Sequence, residues 1–569
     1  MKVKINNREY EFDQEISILD ATKKAHIKIP TLCYSEKLEP FGSCRLCSVE
    51  IKGERTLKPA CVTKITDGME IFTHSQRVRK TRKTIMELII ASHGINCNLN
   101  CLTCSKSGSC EIKEVAEEIG VTEIRVPPIS NGLPEDRSSY SIVREPQKCI
   151  VCNRCVRKCS EVQSVNILTI ANRGPDTYVT TFMDKGMGNV DCTNCGQCIL
   201  ECPTGALHEV YQMDQVWAAL SDESKYVIVQ TAPAVRVAIA EEFGAEPGKI
   251  ATKQMVAGLR LLGFDKVFDT NFAADLTIME EANEFIERFK NNGKLPLFTS
   301  CSPGWVKFLE HNYPEFIDNL SSCKSPQQMF GAIAKTYYAN KLGISKEDTV
   351  VVSVMPCTAK KFERVRSEMK GDVDYVLTTR ELAKMFKLAG IDLLNVPQEE
   401  YDEPLGISSG AGAIFGATGG VMEAALRTAY EVITGKELEK LDFEAVRGIE
   451  GIKQATVEID GINLKVAVVN GLGNARKVLE MIKSGEKEFQ FVEFMACPGG
   501  CIGGGGQPIP TNNEILLKRM QAIYEIDRSL SIRKSHENPA IKTLYEEFLG
   551  EPLSEKSHEL LHTTYIARS

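Results

Sequence analysis

The sequence lacks an uninterrupted apolar run of the roughly 18 residues that a membrane-spanning helix needs, so no membrane partner is expected. Its start, MKVKINNREYEFD, has no apolar core followed by small residues, which argues against a secretory signal and favours a cytoplasmic location. It also lacks an excess of positive charge, because 68 Lys and Arg against 76 Asp and Glu leave a formal charge of −8. No nucleic-acid partner is therefore expected.

Cysteine, in contrast, is abundant, with 21 residues in a chain of 569. In a reducing compartment so many thiols are better explained by metal ligation than by disulfides. Sixteen of them lie between Cys33 and Cys202, and only five follow. A chain of this length contains several domains. We therefore predict small cluster-binding modules of mixed α+β structure first and a large α/β body after them.

The first cysteine group has the spacing C-x10-C-x2-C-x13-C and lies among short β-like runs such as KVKI and CSVEIKG. It comprises Cys33, Cys44, Cys47 and Cys61. A zinc ribbon normally needs two short C-x2-C pairs, and only one is present. The group resembles plant-type 2Fe-2S ferredoxins in a variant with a longer first gap. Residues 1–78 are therefore expected to form a ferredoxin-like β-grasp domain with one 2Fe-2S cluster.

The second group follows the helix-like stretch TRKTIMELIIASH and consists of Cys97, Cys101, Cys104 and Cys110, with His93 upstream. It resembles the histidine and cysteine cluster module of hydrogenases and of complex I, whose pattern is H-x3-C-x2-C-x5-C. Here the histidine position holds Cys97, and His93 stands four residues earlier. Two ligand sets therefore remain open for the 4Fe-4S cluster of residues 79–125, one completed by Cys97 and the other by His93.

The third group repeats C-x2-C-x2-C-x3-C twice within residues 139–209, and the second run ends in Cys202-Pro203. This is the run of bacterial two-cluster ferredoxins, in which the fourth cysteine of each run ligates the other cluster. One 4Fe-4S cluster is thus assigned to Cys149, Cys152, Cys155 and Cys202. The other is assigned to Cys159, Cys192, Cys195 and Cys198. With the second group this makes three accessory 4Fe-4S clusters.

Residues 210–569 read as a large α/β body. Apolar runs such as YVIVQTAPAV, KVFDTNFAADL, LPLFTSCSPGW and TVVVSVMPC predict buried strands, each followed by an amphipathic helix. Four of the five remaining cysteines follow such strands or lie in glycine-rich loops, namely Cys301, Cys357, Cys497 and Cys501. The fifth, Cys323, is expected to be a small buried residue rather than a ligand.

Three motifs in this body, TSCSPGW, MPCTAKKFE and EFMACPGGCIGGGGQP, resemble the signatures of FeFe hydrogenases. Their order also matches, so the resemblance covers the whole chain and points to the clostridial-type monomeric enzymes. It implies an H-cluster, a 4Fe-4S cubane joined through one cysteine to a diiron unit with carbon monoxide, cyanide and azadithiolate ligands. The last part, about residues 510–569, resembles the small subunit that other members carry as a separate chain.

The resemblance assigns roles to individual residues. Cys357, Cys497 and Cys501 occupy cubane-ligand positions, and Cys501 bridges to the diiron unit. Lys360 is positioned to hold a cyanide ligand. Six further residues are expected to pack against the diiron unit: Ala232, Pro233, Ser325, Gln327, Met355 and Met495.

One motif departs from the family, which usually has TSCCPGW. Here the pair is Cys301-Ser302, so only one thiol is available for two roles. Either Cys301 relays protons and Ser302 takes the cubane position, or Cys301 ligates and Ser302 or a water relays. A serine oxygen is a harder ligand than a thiolate and suits the cluster less well.

Proton transfer requires a chain of groups within hydrogen-bond reach of one another. By resemblance this chain is Cys301, Glu281, Ser321 and Glu284, with Arg288 near its outer end. Glu281 and Glu284 are three residues apart, which places both carboxylates on one face of a helix. Without the family such a pair would be read as solvated surface.

The predicted activity is reversible reduction of protons by reduced ferredoxin, or by flavodoxin, after loading of the H-cluster by maturation proteins. One alternative is the catalytic subunit of an NADH-coupled, electron-bifurcating hydrogenase. Another is a non-catalytic hydrogen sensor or electron carrier. No signalling module is apparent, and a carrier would lack the MPC-x2-K and C-x3-C motifs that are present here.

Overall fold

The computed structural model describes residues 1–93, 104, 106, 108–129, 132–438, 440–459 and 461–568. Within these residues, no helix combines the length and the apolar character that crossing a membrane requires. The chain divides into two compact units. Unit 1 contains residues 1–162, 166–190 and 201–208, and unit 2 contains residues 163–165, 191–200 and 209–569.

Unit 1 is built from short strands and four helices. Its strands are β1 (Lys2–Ile5), β2 (Arg8–Glu11), β3 (Ser48–Ile51), β4 (Lys58–Pro59), β5 (Glu70–Phe72), β6 (Ile142–Arg144), β7 (Leu168–Ala171), β8 (Tyr178–Thr181) and β9 (Leu207–Glu209). Its helices are α1 (Ile18–Lys24), α2 (Gln76–Ser92), α3 (Glu111–Ile119) and α4 (Arg154–Arg157).

The first strands of unit 1 form a five-stranded mixed sheet in the order β2-β1-β5-β3-β4. Strand β1 runs antiparallel to β2 and parallel to β5. Alternating residues of β1, Val3 and Ile5, face a core that also contains Ile18 and Leu19 of α1. Cys47 and Cys61 are buried in the same core. The sheet and α1 therefore hold two of the predicted ligands in fixed positions.

Unit 2 carries most of the helices. They are α5 (Gln197–Glu201), α6 (Met213–Leu220), α7 (Thr252–Leu262), α8 (Thr270–Lys290), α9 (Pro303–Asn312), α10 (Pro326–Ile333), α11 (Ala339–Leu342), α12 (Ala359–Glu363), α13 (Thr379–Leu388), α14 (Gly410–Ile414), α15 (Gly420–Thr434), α16 (Leu472–Lys483), α17 (Asn513–Ser529), α18 (Pro539–Leu544) and α19 (Glu555–Leu561). Its strands are β10 (Tyr226–Thr231), β11 (Lys266–Asp269), β12 (Leu297–Phe298), β13 (Thr349–Met355), β14 (Tyr375–Thr378), β15 (Ile452–Ile459), β16 (Ile462–Asn470) and β17 (Phe491–Met495).

Two four-stranded sheets organise unit 2. The first, in the order β11-β10-β13-β14, is parallel throughout. The second, in the order β12-β17-β16-β15, is parallel except for the β15–β16 hairpin. Helices pack on these sheets, so the predicted α/β body is confirmed. In parallel sheets, functional residues collect beyond the carboxyl ends of the strands. Here the segments after β10, β12, β13 and β17 carry the sequence motifs.

Two of the predicted strands are shorter than expected. In KVFDTNFAADL only Lys266–Asp269 is strand, because the Asp269 carboxylate accepts a hydrogen bond from Asn271 N and starts α8. In LPLFTSCSPGW only Leu297–Phe298 is strand, and α9 begins at Pro303, which suits the first turn of a helix. Both apolar runs were read as continuous strands because buried helices and buried strands share the same composition.

The C-terminal segment, residues 513–568, is an integral part of unit 2. Arg427 of α15 is fully buried and donates to both carboxylate oxygens of Asp527 on α17, each at 2.9 Å. Arg427 also donates to Glu423 at 2.7 Å. Near the C-terminus, Lys324 N donates to Leu561 O at 2.8 Å. The segment is therefore joined to the body by buried charges and by backbone hydrogen bonds.

Replacing Asp527 by alanine is expected to destabilise unit 2 by about 3–5 kcal/mol, because Arg427 would keep a buried charge with fewer partners. The measurement is the urea midpoint followed by tryptophan fluorescence, since Trp217 and Trp305 both lie in unit 2. Glu315→Ala is the control, because its ion pair with Lys483 is exposed. Equal midpoints for the two variants would contradict this account of the segment.

Candidate functional site

The thiols of the first cysteine group lie close together in unit 1. The Sγ atoms of Cys47 and Cys61 are 3.4 Å apart. Cys44 N donates to Cys33 Sγ at 3.4 Å. The hydrogen bond with Cys47, then burial, then the charges of the neighbouring thiols raise the pKa of Cys61. A cationic iron centre would relieve this crowding of ionisable sulfurs, so the four residues suit a cluster.

The second group is only partly described. Cys104 and Cys110 are half-buried, and Cys110 is the residue before α3. His93 is buried at the end of α2, and its Nδ1 lies 2.6 Å from Lys148 O. This contact leaves Nε2 as the nitrogen that could bind a metal. Cys97 and Cys101 lie outside the described residues, so the choice between Cys97 and His93 stays a prediction.

The structure brings one cluster set of the third group together. A small cavity in unit 1 is lined by Cys149, Cys152, Cys155 and Cys202. The fourth cysteine of the second run thus lies beside the first three of the first run. Burial raises the pKa of Cys149 to about 11. Thiolates in such a site need a compensating metal charge. In the complementary set, Cys159 belongs to unit 1 and the other three cysteines to unit 2, so this set stays a prediction.

A second cavity lies in unit 2 beyond the carboxyl ends of the strands. Of the residues predicted from the motifs, it is lined by Ala232, Pro233, Cys301, Ser302, Gln327, Met355, Cys357, Lys360, Met495, Cys497 and Cys501. Residues that the sequence did not suggest for this site also line it: Cys195, Thr270, Ala274, Pro326 and Phe415. Ser325 lies behind the wall rather than in it. The three separate motifs therefore meet at one place.

Glycines let the loops after β13 and β17 approach each other. A Cβ on Gly504 would lie 2.1 Å from Pro356 O, and a Cβ on Gly500 would lie 2.6 Å from Thr418 N. Gly500 also has a φ of +88°, which side chains rarely adopt. Any larger residue would push the Cys497 and Cys501 loop away from Cys357. The glycine-rich motif thus fixes the relative positions of these thiols.

Lys360 is held by a buried acid that sequence reasoning missed. Its Nζ donates to Glu363 Oε2 at 3.0 Å and to Cys301 O at 3.1 Å. The Glu363 carboxylate also accepts from Ser325 Oγ at 2.8 Å and from Gln327 Nε2 at 3.0 Å. Glu363 follows Lys360 by three residues on α12, a spacing that could have identified the pair. The network fixes the ammonium at the cavity wall.

Cys301 and Ser302 face different surroundings. Ser302 Oγ accepts a hydrogen bond from Ala496 N at 3.2 Å, next to Cys497. Burial and then the charge of Glu281 raise the pKa of the Cys301 thiol well above its usual value. Ser302 is therefore on the Cys497 side of the cavity, whereas the charge of Glu281 acts on the Cys301 thiol.

The other residues of the predicted proton relay lie near one another on and beside α8. Ser321 interacts with Glu281 through its hydroxyl, which also donates to Glu284 Oε2 at 2.8 Å. Arg288 donates to Glu284 Oε1 at 2.5 Å. Burial and then the charge of Glu284 raise the pKa of Glu281 to about 8. Both glutamates are buried on α8, so they are not the solvated pair that the pattern alone would suggest.

The cavity fits an iron-sulfur group with further polar ligands. Five thiols line it, the three predicted ligands Cys357, Cys497 and Cys501 together with Cys195 and Cys301, and the Lys360 side chain lies in the same wall. Gln327 Oε1 is buried, and none of the described residues offers it a hydrogen bond. Soft sulfur ligands select iron-sulfur clusters. The donor set therefore agrees with the group that the motifs imply.

Five family models match successive parts of the chain. They are a 2Fe-2S iron-sulfur cluster binding domain (residues 1–76), the NADH-ubiquinone oxidoreductase-G iron-sulfur binding region (82–125), the ferredoxin-like domain of NADH-quinone oxidoreductase subunit 3 (140–208), the C-terminal domain of the iron-only hydrogenase large subunit (225–505) and the iron hydrogenase small subunit (513–568).

Two relatives are similar over the full length. The NADP-reducing hydrogenase subunit HndD of Solidesulfovibrio fructosivorans is 50% identical over 100% of this chain and 99% of its own. Iron hydrogenase 1 of Clostridium pasteurianum is 41% identical over 99% of each chain. A solved structure of apo FeFe hydrogenase from Chlamydomonas reinhardtii is 48% identical, with a TM-score of 0.57, over 63% of this chain and 99% of that one.

Proposed function

The chain belongs to the FeFe hydrogenase family, and from that premise we propose how its own residues turn over hydrogen. The enzyme is an oxidoreductase that acts on hydrogen at an H-cluster. One observation carries the assignment of residues: Cys357, Cys497, Cys501 and Lys360 converge on one buried cavity.

In this proposal Cys357, Cys497 and Cys501 would hold the cubane, and Cys501 would also serve the diiron unit. When bound, the H-cluster supplies the two-electron chemistry on hydrogen. Lys360, fixed by Glu363, presents its ammonium to an anionic ligand at the cavity wall. Met355 and Met495 are buried and exclude water from the same wall. Gln327 lines the same cavity, and its amide oxygen, which has no hydrogen-bond partner among the described residues, would accept from a donor on the bound group.

Ser302, rather than Cys301, is assigned to the fourth corner of the cubane. Its Oγ lies at Ala496 N, next to Cys497, whereas Cys301 is coupled to Glu281 and so belongs to the relay. Oxygen is a harder donor than sulfur, so a serine corner binds iron less firmly than a cysteine corner would. The chain would then keep its proton-relay thiol and accept a weaker cluster ligand.

Ser302→Cys is expected to slow the loss of iron from the reconstituted cubane, because it completes an all-thiolate set. Ser302→Ala is expected to release iron at least about tenfold faster than the parent protein, because removing a ligand costs more than the roughly 10–100-fold of a lost ligand-orienting contact. The measurement is iron release to a chelator before the diiron unit is added, so it is independent of turnover.

Ser300→Ala is the matched control for Ser302. Its buried hydroxyl donates to Cys323 O at 2.7 Å and does not line the cavity. It is expected to release iron at the parental rate. Equal rates for the parent, Ser302→Cys and Ser302→Ala proteins would remove Ser302 from the ligand set.

The proton side of the reaction uses the relay. For hydrogen evolution, a proton passes from Glu284 through the Ser321 hydroxyl to Glu281, and from Glu281 to the Cys301 thiol that lines the cavity. A pKa of about 8 lets Glu281 both accept and donate a proton near neutral pH. Arg288 holds Glu284 in place and does not itself exchange protons.

The electron side uses the cysteine modules. We propose one 2Fe-2S cluster in residues 1–78, one 4Fe-4S cluster in residues 79–125 and two in residues 139–209, with the β-grasp fold for the first module. Cys195, a predicted ligand of one of these clusters, lines the catalytic cavity. In the same segment Gln197 Nε2 donates to Gly503 O at 2.9 Å. These contacts within unit 2 support Cys195 as the place where electrons enter the site.

We propose reduced ferredoxin, or flavodoxin, in the cytoplasm as the electron donor, with maturation proteins to load the H-cluster. The low-potential iron-sulfur modules at the N-terminus support a small one-electron partner. A second candidate is a subunit of an NADP-coupled complex, because a relative that is 50% identical carries that name.

The two candidate functions differ in the electron donor that supports hydrogen evolution by the isolated chain. With reduced ferredoxin as sole donor, the matured protein is expected to evolve hydrogen, whereas NADPH alone is expected to support none. Hydrogen evolution from NADPH only after flavoprotein subunits are added, and none from ferredoxin, would favour the second candidate.

A further inference from the structure

At the outer end of the proton relay, two residues donate hydrogen bonds to Glu284 Oε1. Arg288 donates to Glu284 Oε1 at 2.5 Å. Ser322 donates to the same oxygen through its hydroxyl at 3.2 Å and through its N–H at 3.1 Å. A guanidinium stays protonated at every pH that a protein tolerates, so Arg288 cannot pass protons on. Ser322 is the neighbour whose hydroxyl can both receive and give a proton.

Ser322 connects Glu284 to a histidine from the far end of the chain. Its Oγ lies 2.8 Å from His562 Nδ1. The Nε2 atom of His562 lies 3.0 Å from Glu280 Oε2. Glu280 in turn accepts from the Tyr545 hydroxyl at 2.5 Å and from Leu553 N at 2.8 Å. A continuous row of hydrogen bonds therefore leads from Glu284 to His562 and its carboxylate partner.

A buried carboxylate fixes the orientation of the His562 ring. Burial alone would raise the pKa of Glu280, but the hydrogen bonds from His562 and Tyr545 hold it below its usual value. Glu280 is therefore an anion that favours a proton on Nε2. Nδ1 is then the nitrogen that faces the Ser322 hydroxyl.

The remaining groups near His562 are few. The Cys323 thiol, the Glu284 carboxylate and the His562 ring lie within 4.8 Å of one another, and burial raises the pKa of Cys323 well above its usual value, so it stays a neutral thiol. The ring of His558, on the exposed side of α19, lies 4.4 Å from the His562 ring between centroids. Helix α10, which packs on α19, contains no charged residue.

We propose that His562, whose ring is buried, is a proton carrier that extends the relay beyond Glu284 and is joined to it through Ser322. This inference rests on the proposed hydrogenase function. During hydrogen evolution, the Nδ1–H bond of the imidazolium breaks and that proton bonds to Ser322 Oγ. The proton of the Ser322 hydroxyl passes to Glu284 Oε1, and His562 returns to its neutral form with a proton on Nε2. No electron is transferred, and hydrogen uptake runs the same steps in reverse.

The test uses His562→Gln in the fully matured protein. Gln keeps a polar side chain but does not titrate, so hydrogen evolution is expected to fall about tenfold, and the solvent isotope effect is expected to increase. The expected loss is smaller than the roughly 10²–10⁴-fold typical of a general acid at the reacting atom, because half-buried Ser322 retains some contact with solvent. The carbonyl and cyanide infrared bands are expected to stay as in the parent enzyme.

His536→Gln is the matched control. His536 Nε2 lies 2.8 Å from Glu431 Oε2, and its Nδ1 lies 3.2 Å from the Thr428 hydroxyl, so it has the same kinds of partner as His562. It is not connected to the relay in the described contacts. Its replacement is expected to leave both the rate and the isotope effect unchanged.

Chemical rescue separates a proton-exchange role from a structural one. Added imidazole is expected to restore hydrogen evolution in His562→Ala but not in Ser322→Ala, where the connection to Glu284 is missing. A His562→Gln protein with parental rate and isotope effect would overturn the proposal, and so would a His562→Ala protein with full infrared bands that imidazole does not rescue. If the parent protein itself evolves no hydrogen, the hydrogenase function fails instead.

Discussion

Cys301→Ala is expected to lower hydrogen evolution and uptake by at least about 100-fold, because the thiol is the last proton carrier before the cavity. Its place in the relay follows from its position on the cavity wall and its coupling to Glu281. The loss should appear in kcat with mediator-driven assays in both directions. The infrared bands of the H-cluster should persist, because Ser302 rather than Cys301 holds the cubane in this account.

This variant also decides between the two assignments that the sequence left open. If Cys301 ligates the cubane, Cys301→Ala would lose iron and infrared bands together with activity. Cys323→Ala is the matched control, since Cys323 is buried beside Glu284 but does not line the cavity. That control is expected to retain bands and most of the activity. A fully active Cys301→Ala protein would exclude both roles.

Glu281→Gln is the second change with a large expected effect, a loss of roughly 10²–10⁴-fold in both directions. Glutamine has nearly the shape of glutamate but cannot transfer a proton, so packing on α8 is preserved while the relay is cut. Glu281→Asp, which keeps a titratable group, is expected to retain a measurable rate. A Glu281→Gln rate within twofold of the parent would contradict the relay.

The pKa of Glu281 gives the same step a pH signature. Hydrogen uptake needs Glu281 as a proton acceptor, which is its ionised form. Since burial and the charge of Glu284 raise its pKa to about 8, uptake with saturating oxidised dye is expected to rise through about pH 8 and then level off. Glu281→Gln should lose this rise. A flat profile between about pH 6 and pH 10 in the parent would contradict the assignment, since an ordinary glutamate titrates near 4.3.

Much of the catalytic site follows from local sequence. Cys357 and Cys497 each come two residues after a strand, β13 and β17, so the sequence places each of them at the carboxyl end of a strand. The two strands belong to different sheets, so the meeting of these thiols depends on the tertiary structure. The spacing of Glu281 and Glu284 predicted that both lie on one face of a helix. Their burial could not be predicted, because it depends on the tertiary structure. Glu363 was within a recognised motif, and its i,i+3 spacing from Lys360 was a usable signal.

Other parts of the fold and of the site could not be predicted from local sequence. Glu280 and His562 are separated by 282 residues, and no motif connects them before the chain folds. The boundary between β11 and α8 was also misjudged, because TNFAADL is as apolar when buried in a helix as in a strand. The Ser302 assignment needed the neighbouring Ala496 N–H, which belongs to a motif nearly two hundred residues away.

The most direct test of the central claim combines infrared absorption with hydrogen evolution on one anaerobic sample produced with hydrogenase maturation proteins. Metal carbonyl and cyanide bands are expected together with hydrogen evolution from a reduced mediator, and the bands are expected to be lost when Cys501 is replaced by alanine. Absence of the bands in the fully matured parent protein would contradict this claim, because the cavity of unit 2 would then not hold an H-cluster.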